Sequence, residues 1–138
     1  MIDSKRVYLD TAPIIYFLEN SEKYGDAVMG FFEVHDDYNY VTSVVSLAEY
    51  LTGAMKVGDG KAVESFDEFV KAYEIEVLDI DSAISIAAAR IRSRFTSFRF
   101  ADAIQLAAAE ISDCDVFLSN DFQLKQFDGI DCVMVEEI

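Results

Sequence analysis

Short apolar runs alternate with longer segments of helical periodicity along the whole chain. The short runs predict strands at residues 7–9, 39–42, 75–80, 116–118 and 131–135. The longer segments predict helices from about residue 13, then at 21–34, 44–57, 61–73, 83–95 and 101–111, with a short one at 122–127. Apolar strands separated by helices are typical of a parallel sheet covered on both faces. The pattern therefore predicts an α/β protein with helices on both sides of a central parallel sheet.

Several helix boundaries carry recognisable signals. Pro13 suits the first turn of the first helix, because a helix needs no backbone N–H there. Ser21 is a candidate cap for the second helix, although Gly25 and Gly30 weaken the helical pattern that follows it. Asp81 is placed to cap the fifth helix.

Composition narrows the class of protein. With 138 residues, 52% of them hydrophobic, and one proline, the chain predicts a single globular domain over residues 1–138. No apolar run reaches the roughly 18 residues that a membrane-spanning helix needs, and the first residues show no signal-peptide core. Two cysteines are too few for a disulfide scaffold. We therefore expect a cytoplasmic protein with reduced thiols and no membrane association.

The charge balance limits the ways in which the protein can bind nucleic acid. The formal net charge is −15, from 26 acids against 11 lysines and arginines. A surface of this sign repels phosphates, which argues against general binding through a basic face. A local basic patch and a cation-binding cluster of acids both remain open.

Polar side chains follow two of the predicted strands. Asp10 comes directly after the first strand, and Asn120 and Asp121 follow the fourth. In parallel α/β sheets, ligands bind beyond the carboxyl ends of the strands, so these residues are expected at one edge. Asp10 and Asp121 are equally placed to cap the helices that follow them. Taken singly, each acid has this structural explanation.

Two further acids lie on predicted helices. Asp102 belongs to a helix that is apolar nearly all round, so its carboxylate needs a partner, a metal or the helix amino terminus. Glu49 falls beside the apolar stripe of its helix, and periodicity alone predicts a solvated side chain.

Basic residues concentrate before Asp102, at Arg90, Arg92, Arg94 and Arg99. They are either cations at the end of the fifth helix or a phosphate-contacting rim beside an acidic site, and the two roles are compatible. The chain has no GxSxG, Walker A or GxGxxG segment, which removes the usual hydrolase, NTPase and dinucleotide interpretations.

Four segments in order, residues 8–18, 42–50, 100–108 and 117–127, make the chain resemble PIN-domain ribonucleases. Within them stand Tyr-Leu-Asp-Thr, Ser-Leu-Ala-Glu, Phe-Ala-Asp-Ala and Leu-Ser-Asn-Asp. The likeness is greatest to the VapC-like toxins of VapBC-type toxin–antitoxin pairs. It implies a three-layer α/β/α PIN-like fold. It also implies an acidic site of Asp10, Glu49, Asp102 and Asp121.

The resemblance further implies supporting roles for Thr11, Ser119 and Asn120. If the arginine run is a phosphate-contacting rim, Arg90, Arg94 and Arg99 are the candidate RNA contacts. Asp10 and Asp102 are the expected principal ligands of Mg²⁺ or Mn²⁺, with Glu49 and Asp121 completing the set. The implied activity is metal-dependent hydrolysis of RNA, and the implied partners are a cognate antitoxin and a second copy of the chain. Residues 31–32 are candidates for the dimer contact or for the core.

Three other functions compete with this one. A PIN-like module that binds RNA or protein without cutting is argued against by acids at all four matching positions. A haloacid-dehalogenase phosphatase needs a second acid two residues after Asp10, where Ala12 stands. The chain also lacks the adjacent pair of acids that a receiver domain needs. Gln123 stands where PIN-domain proteins often carry a further acid.

Overall fold

Five parallel strands form one sheet in the computed structural model, which describes residues 4–138. The strands are β1 (Arg6–Leu9), β2 (Asn39–Ser43), β3 (Glu76–Leu78), β4 (Val116–Ser119) and β5 (Asp131–Met134). Their order in the sheet is β3-β2-β1-β4-β5. The predicted α/β architecture with a central parallel sheet is confirmed.

Helices make the crossovers that parallel strands require. They are α1 (Thr11–Leu18), α2 (Gly25–Val34), α3 (Val44–Lys56), α4 (Ala62–Ala72), α5 (Ser82–Arg94) and α6 (Phe100–Ile111). Two 3₁₀ turns, Phe122–Gln126 and Val135–Glu137, flank β5. The helices cover both faces of the sheet, which gives the three-layer arrangement.

The strand register brings three carboxyl ends together. Leu9 of β1 lies beside Leu118 of β4, and Tyr8 lies beside Val41 of β2. Because the central strand β1 ends level with both neighbours, the residues that follow β1, β2 and β4 emerge at one edge of the sheet.

The two faces of the sheet pack against different kinds of side chain. On one face, Tyr8 and Phe117 pack with α5 and the alanine-rich α6. On the other face, an aromatic cluster fills the space under α1, α2 and α4, with Phe17 and Phe69 ring centroids 5.1 Å apart. Small alanines let α6 lie close to the sheet, which brings its polar first turn to the carboxyl edge.

Some predicted boundaries were wrong. Helix α2 begins at Gly25 with Tyr24 as its cap, while the Ser21 hydroxyl accepts a hydrogen bond from the Tyr24 N–H in the preceding turn. Strand β3 is shorter than predicted, and the segment after Asp121 is a 3₁₀ turn. A serine hydroxyl stabilises a turn as readily as a helix start, so the Ser21 signal did not distinguish them.

Other expectations concern burial and the membrane. Phe32 is buried in the aromatic cluster and belongs to the core, whereas Phe31 is half-buried beside it and also lines a surface cleft with Val34 and His35. Cys114 and Cys132 are both free thiols, as expected. None of the helices between residues 4 and 138 combines the length and apolar character needed to cross a bilayer.

Candidate active site: an acidic cleft at the sheet edge

A cleft of about 310 Å³ opens at the carboxyl edge of the sheet. Its lining contains the four predicted acids, with Thr11, Ala12, Ile15, Arg99 and Ser119. We call it the acidic cleft. Asn120 is outside this lining: its side-chain amide lies 3.3 Å from the Tyr16 hydroxyl and its Oδ1 accepts from the Glu136 N–H. Four acids from distant segments of the chain therefore share one concave surface.

Asp10 is the buried centre of the acidic cleft, at 7% exposure. Its Oδ1 accepts from the Thr11 N–H at 2.8 Å and from Gln105 Nε2 at 2.9 Å. Its Oδ2 accepts from the Ser119 hydroxyl at 2.7 Å. The capping role expected at this junction is thus present, and the same carboxylate also faces the cleft.

Burial raises the pKa of the Asp10 carboxyl to about 6, because desolvation penalises the ionised form. Hydrogen bonds from Ser119 and Thr11 oppose this rise, and the negative charges of Asp102 and Glu49 add to it. The donors that touch Asp10 are all neutral. A cation placed in the cleft would favour the ionised carboxylate.

Gln105 joins three cleft residues and was missed by the sequence reasoning. Its Nε2 donates to Asp10, to Thr11 Oγ1 at 3.1 Å and, at 3.3 Å, to Glu49 Oε1. Its Oε1 accepts from the Tyr8 hydroxyl at 2.9 Å. Carboxylates can only accept, so the amide nitrogen must face them and the amide oxygen must face Tyr8. Gln105 is 1% exposed and fixes the spacing of the residues around it.

A signal for Gln105 was available in the sequence. It is a polar residue within the apolar stretch of α6, three positions after Asp102, and residues three apart share a helix face. A buried amide needs hydrogen-bond partners, so it marks a polar region under an otherwise apolar helix.

Asp102 lies in the first turn of α6 and is paired with a cation. Arg99 Nη2 lies 3.0 Å from Asp102 Oδ1, and Arg99 Nε lies 3.2 Å from Oδ2. The backbone N–H of Arg99 also donates to Oδ2, at 3.3 Å. Asp102 therefore has two of the three kinds of partner expected for it, a cation and the amino terminus of its helix, and it also faces the cleft.

Glu49 projects from α3 into the acidic cleft with 29% of its side chain exposed. The Thr11 hydroxyl donates to Glu49 Oε1 at 2.6 Å, and Arg99 Nη1 lies 3.9 Å from Oε2. Periodicity predicted a solvated glutamate, and that prediction was wrong. Helix α3 packs the face that carries Glu49 against polar groups. Hydrophobic periodicity predicts burial only against apolar groups, so it cannot identify such a face.

Asp121 reaches the cleft from the end of β4. Its carboxylate accepts from the Gln123 N–H at 3.1 Å and caps the 3₁₀ turn. The Ser119 hydroxyl accepts from the Asp121 N–H at 3.1 Å while it donates to Asp10. Ser119 thereby links the two acids that follow β1 and β4.

Three of the four arginines before Asp102 line two different clefts, and Arg92 instead lies over the Phe100 ring. Arg99 lines the acidic cleft. Arg90 and Arg94 instead line a separate cleft of about 210 Å³ between α5 and α6, where Arg94 lies 3.6 Å from Asp128. The geometry brings only Arg99 to the acids.

The carboxylate and hydroxyl oxygens of the acidic cleft are the kind of ligand that the hard divalent cations Mg²⁺ and Mn²⁺ prefer. Among residues 4–138, however, no three acidic, histidine or cysteine side chains converge closely enough to share one ion. The Arg99 guanidinium lies against Asp102 and within 4 Å of Glu49, so it already balances charge on that side. Of the two buried carboxylates, Asp10 is the one without a cation beside it in the described part of the chain.

Several solved structures of similar fold are described as toxins or toxin–antitoxin systems. VapBC of Salmonella typhimurium bound to DNA is 20% identical, with a TM-score of 0.78 over 95% of this chain and 98% of that one. VapBC2 of Rickettsia felis with promoter DNA is 16% identical, with a TM-score of 0.77 over 94% and 98%. VapC20 of Mycobacterium tuberculosis, described as a sarcin–ricin loop cleaving toxin, is 15% identical, with a TM-score of 0.71 over 91% and 98%.

A comparison with family models gives a match that covers nearly the whole chain. No curated protein matches the sequence significantly. The model of the PIN domain matches residues 7–130, a range that includes all four cleft acids and strands β1 to β4 apart from the first residue of β1. The chain therefore belongs to the PIN domain family.

Proposed function

We propose that the protein is a metal-dependent endoribonuclease and the toxin component of a type II toxin–antitoxin pair. The observation that carries this proposal is the acidic cleft, where Asp10 is buried among neutral donors beside three further carboxylates. Membership of the PIN domain family supports a nuclease, and the VapBC neighbours support the toxin role.

Asp10 and Asp102 are the proposed principal ligands of Mg²⁺ or Mn²⁺, with Glu49 and Asp121 completing the set or orienting water. When bound, such an ion would supply Lewis-acid chemistry: it would lower the pKa of a coordinated water and offset negative charge on the scissile phosphate. Asp10 supplies a buried carboxylate without a cation beside it among the described residues, and Ser119 and Gln105 hold it in one orientation. Thr11 holds Glu49 through its hydroxyl. No covalent nucleophile is required.

The proposed partners follow from the same comparisons. One neighbour is described as a toxin–antitoxin complex, another as a member of the VapBC family of toxin–antitoxin systems, and VapC20 as a sarcin–ricin loop cleaving toxin. For this chain we propose an RNA substrate, a cognate antitoxin, a homodimeric assembly and a cytoplasmic location. A small DNA-binding protein encoded next to this one would support the toxin role.

The experiment that tests this function is cleavage of a mixed RNA pool with EDTA, Mg²⁺ or Mn²⁺. Wild type is compared with Asp10→Asn and with Asp128→Asn, a matched control whose carboxylate lies outside the acidic cleft. We expect metal-dependent cleavage that is lost in Asp10→Asn and kept in Asp128→Asn. Folded wild-type protein that cuts no RNA with any metal would contradict the nuclease and favour a binding module.

A further inference from the structure

A second cleft lies at the edge of the sheet opposite to the acidic cleft. It has a volume of about 280 Å³ and is formed where the chain enters β2 and β3. These two strands are parallel neighbours in the sheet, so the segments that lead into them adjoin. Its lining combines four aromatic rings with two acids: Phe32, Tyr38, Tyr40, Tyr73, Asp36 and Glu74. We call it the aromatic cleft.

The rings of the aromatic cleft are held in place by contacts with their neighbours. Phe32 stacks on Tyr73 with 4.6 Å between the ring centroids, and meets Tyr40 edge-on at 4.8 Å. Tyr38 stacks on the ring of His35 at 4.4 Å, and the Tyr40 hydroxyl donates to the His35 carbonyl oxygen at 2.7 Å. Phe32 and Tyr40 are buried, whereas Tyr38 and Tyr73 stay partly exposed. A ligand would therefore meet rings that are already in position, which lowers the entropic cost of binding.

Negative charge surrounds the aromatic cleft. From residue 4 onward, no lysine or arginine lines this cleft, and none pairs with Asp36 or Glu74. Helices α2 and α4 also end beside it, and the carboxyl end of a helix carries a partial negative charge. Burial raises the pKa of the Tyr40 hydroxyl, and the charges of Asp37 and Asp36 add to this rise. The surroundings of the cleft therefore favour a cation.

The combination of rings and acids restricts the chemistry of the ligand. Aromatic faces attract ammonium and guanidinium groups within about 6 Å of the ring centroid, and quaternary ammonium compounds are often bound in this way. Hard divalent metal ions bind oxygen ligands and would leave the rings unused. A neutral ligand would leave the two carboxylates unused. The volume of about 280 Å³ is near the lower limit of small-molecule pockets, so the ligand must be small.

We propose that the aromatic cleft binds a small organic cation, an alkylammonium or guanidinium compound, between its rings and its two acids. This site is separate from the acidic cleft, which lies at the carboxyl ends of the strands. The proposal goes beyond the ribonuclease function and does not depend on it.

The test is a titration of isotope-labelled protein followed through its backbone amide signals by NMR. Choline supplies a quaternary ammonium group and agmatine supplies a guanidinium group. The control compound is the neutral isostere of choline, in which carbon replaces the charged nitrogen. About 150 mM NaCl screens the general attraction of cations to the net charge of −15.

Two sets of variants separate the contribution of the rings from that of the charges. Tyr38→Leu removes a ring from the cleft, whereas Tyr38→Phe keeps the ring and removes only the hydroxyl. Asp36→Asn combined with Glu74→Gln removes both carboxylates. Asp79→Asn combined with Glu64→Gln is the matched control, because these two acids are exposed, lie outside the cleft and change the net charge equally.

We expect choline and agmatine to shift the amide signals of residues 36–40 and 72–74, and the neutral isostere to bind at least about fivefold more weakly than choline. Tyr38→Leu and the loss of both cleft acids are each expected to weaken choline binding roughly fivefold or more. Tyr38→Phe and the control pair should stay within about twofold of wild type.

Three results would overturn the proposal. They are the absence of shifts at these residues with either cation up to about 20 mM, equal binding of the neutral isostere, and wild-type affinity in the variant without both cleft acids. The amide spectrum of each variant reports whether it is folded. If Tyr38→Leu does not fold, the comparison of choline with its isostere on the wild-type protein decides.

Discussion

The two sides of the acidic cleft bury a carboxylate in opposite ways. On one side, Asp102 is 3% exposed and shares two hydrogen bonds with the guanidinium of Arg99. On the other, Asp10 is nearly as buried, yet its donors are a hydroxyl, an amide and a backbone N–H. The negative charge of Asp102 is therefore balanced by another residue of the chain, whereas that of Asp10 is not.

This difference indicates where a cation is needed. An unbalanced buried carboxylate is costly, and its raised pKa is the measure of that cost. Neutral donors orient the Asp10 carboxylate without neutralising its negative charge. This arrangement suits a carboxylate that binds a cation. On the other side, Arg99 neutralises the charge of Asp102 and joins it to the rim of the cleft without a bound ion.

The largest predicted effect is on cleavage. Asp10→Asn and Asp102→Asn remove one carboxylate from each side, and each is expected to lower the single-turnover rate roughly 100-fold or more, as loss of a transition-state contact does. Both variants should keep the fold by circular dichroism, because the amide preserves the shape of the side chain. If only one substitution impaired cleavage, the two sides would not act as one site.

The next effect concerns the residue that connects the two sides. Gln105→Leu removes a buried donor shared by Asp10, Thr11 and Glu49, and is expected to lower the free energy of unfolding by about 3 kcal/mol. Urea denaturation measures it, with Gln126→Leu, an exposed glutamine in the 3₁₀ turn, as the matched control. Equal stability of the two variants would show that the Gln105 contacts contribute little.

The unbalanced charge of Asp10 predicts a pH dependence. The folded pKa of about 6 lies above the ordinary aspartate pKa of 3.8, so the folded state binds the proton more tightly than the unfolded state. The stability from this group is complete below about pH 4 and is lost as the pH rises through 6. Asp10→Asn should therefore gain about 2–3 kcal/mol over wild type between pH 4 and pH 7.5 in urea melts without metal. A difference that stays constant with pH would contradict the raised pKa.

The smallest effect concerns the balanced side. Arg99→Ala frees Asp102 and Glu49 from their cation, so Mn²⁺ affinity measured by titration calorimetry is expected to rise several-fold, equivalent to about 1 kcal/mol. Arg94→Ala is the matched control, since Arg94 is similarly exposed but pairs with Asp128 outside the acidic cleft. Lower affinity in the Arg99 variant would mean that the guanidinium supports the ion site.

The sheet and its functional edge were predictable because both depend on local patterns. Short apolar runs gave the strands, and the acids that follow β1 and β4 gave the edge where Asp10 and Asp121 meet. These inferences need only the rule that carboxyl ends of parallel strands adjoin.

The remainder of the acidic cleft depends on contacts between distant segments. Gln105 bonds to Asp10 across 95 positions of sequence, and no local pattern specifies that pairing. Glu49 escaped periodicity because its helix packs a polar flank against the cleft, and only the family resemblance singled it out. The sequence also did not predict that Arg94 and Arg99 line different clefts, because that depends on how distant segments pack.

The most direct test of the central claim is anomalous diffraction at the manganese edge from crystals grown with Mn²⁺. We expect a peak in the acidic cleft within coordinating distance, about 2.2 Å, of a carboxylate oxygen of Asp10. Crystals of Asp10→Asn are expected to lose this peak. A cleft without a peak at saturating Mn²⁺, or a peak that persists in Asp10→Asn, would contradict the assignment of Asp10 as the carboxylate that awaits a cation.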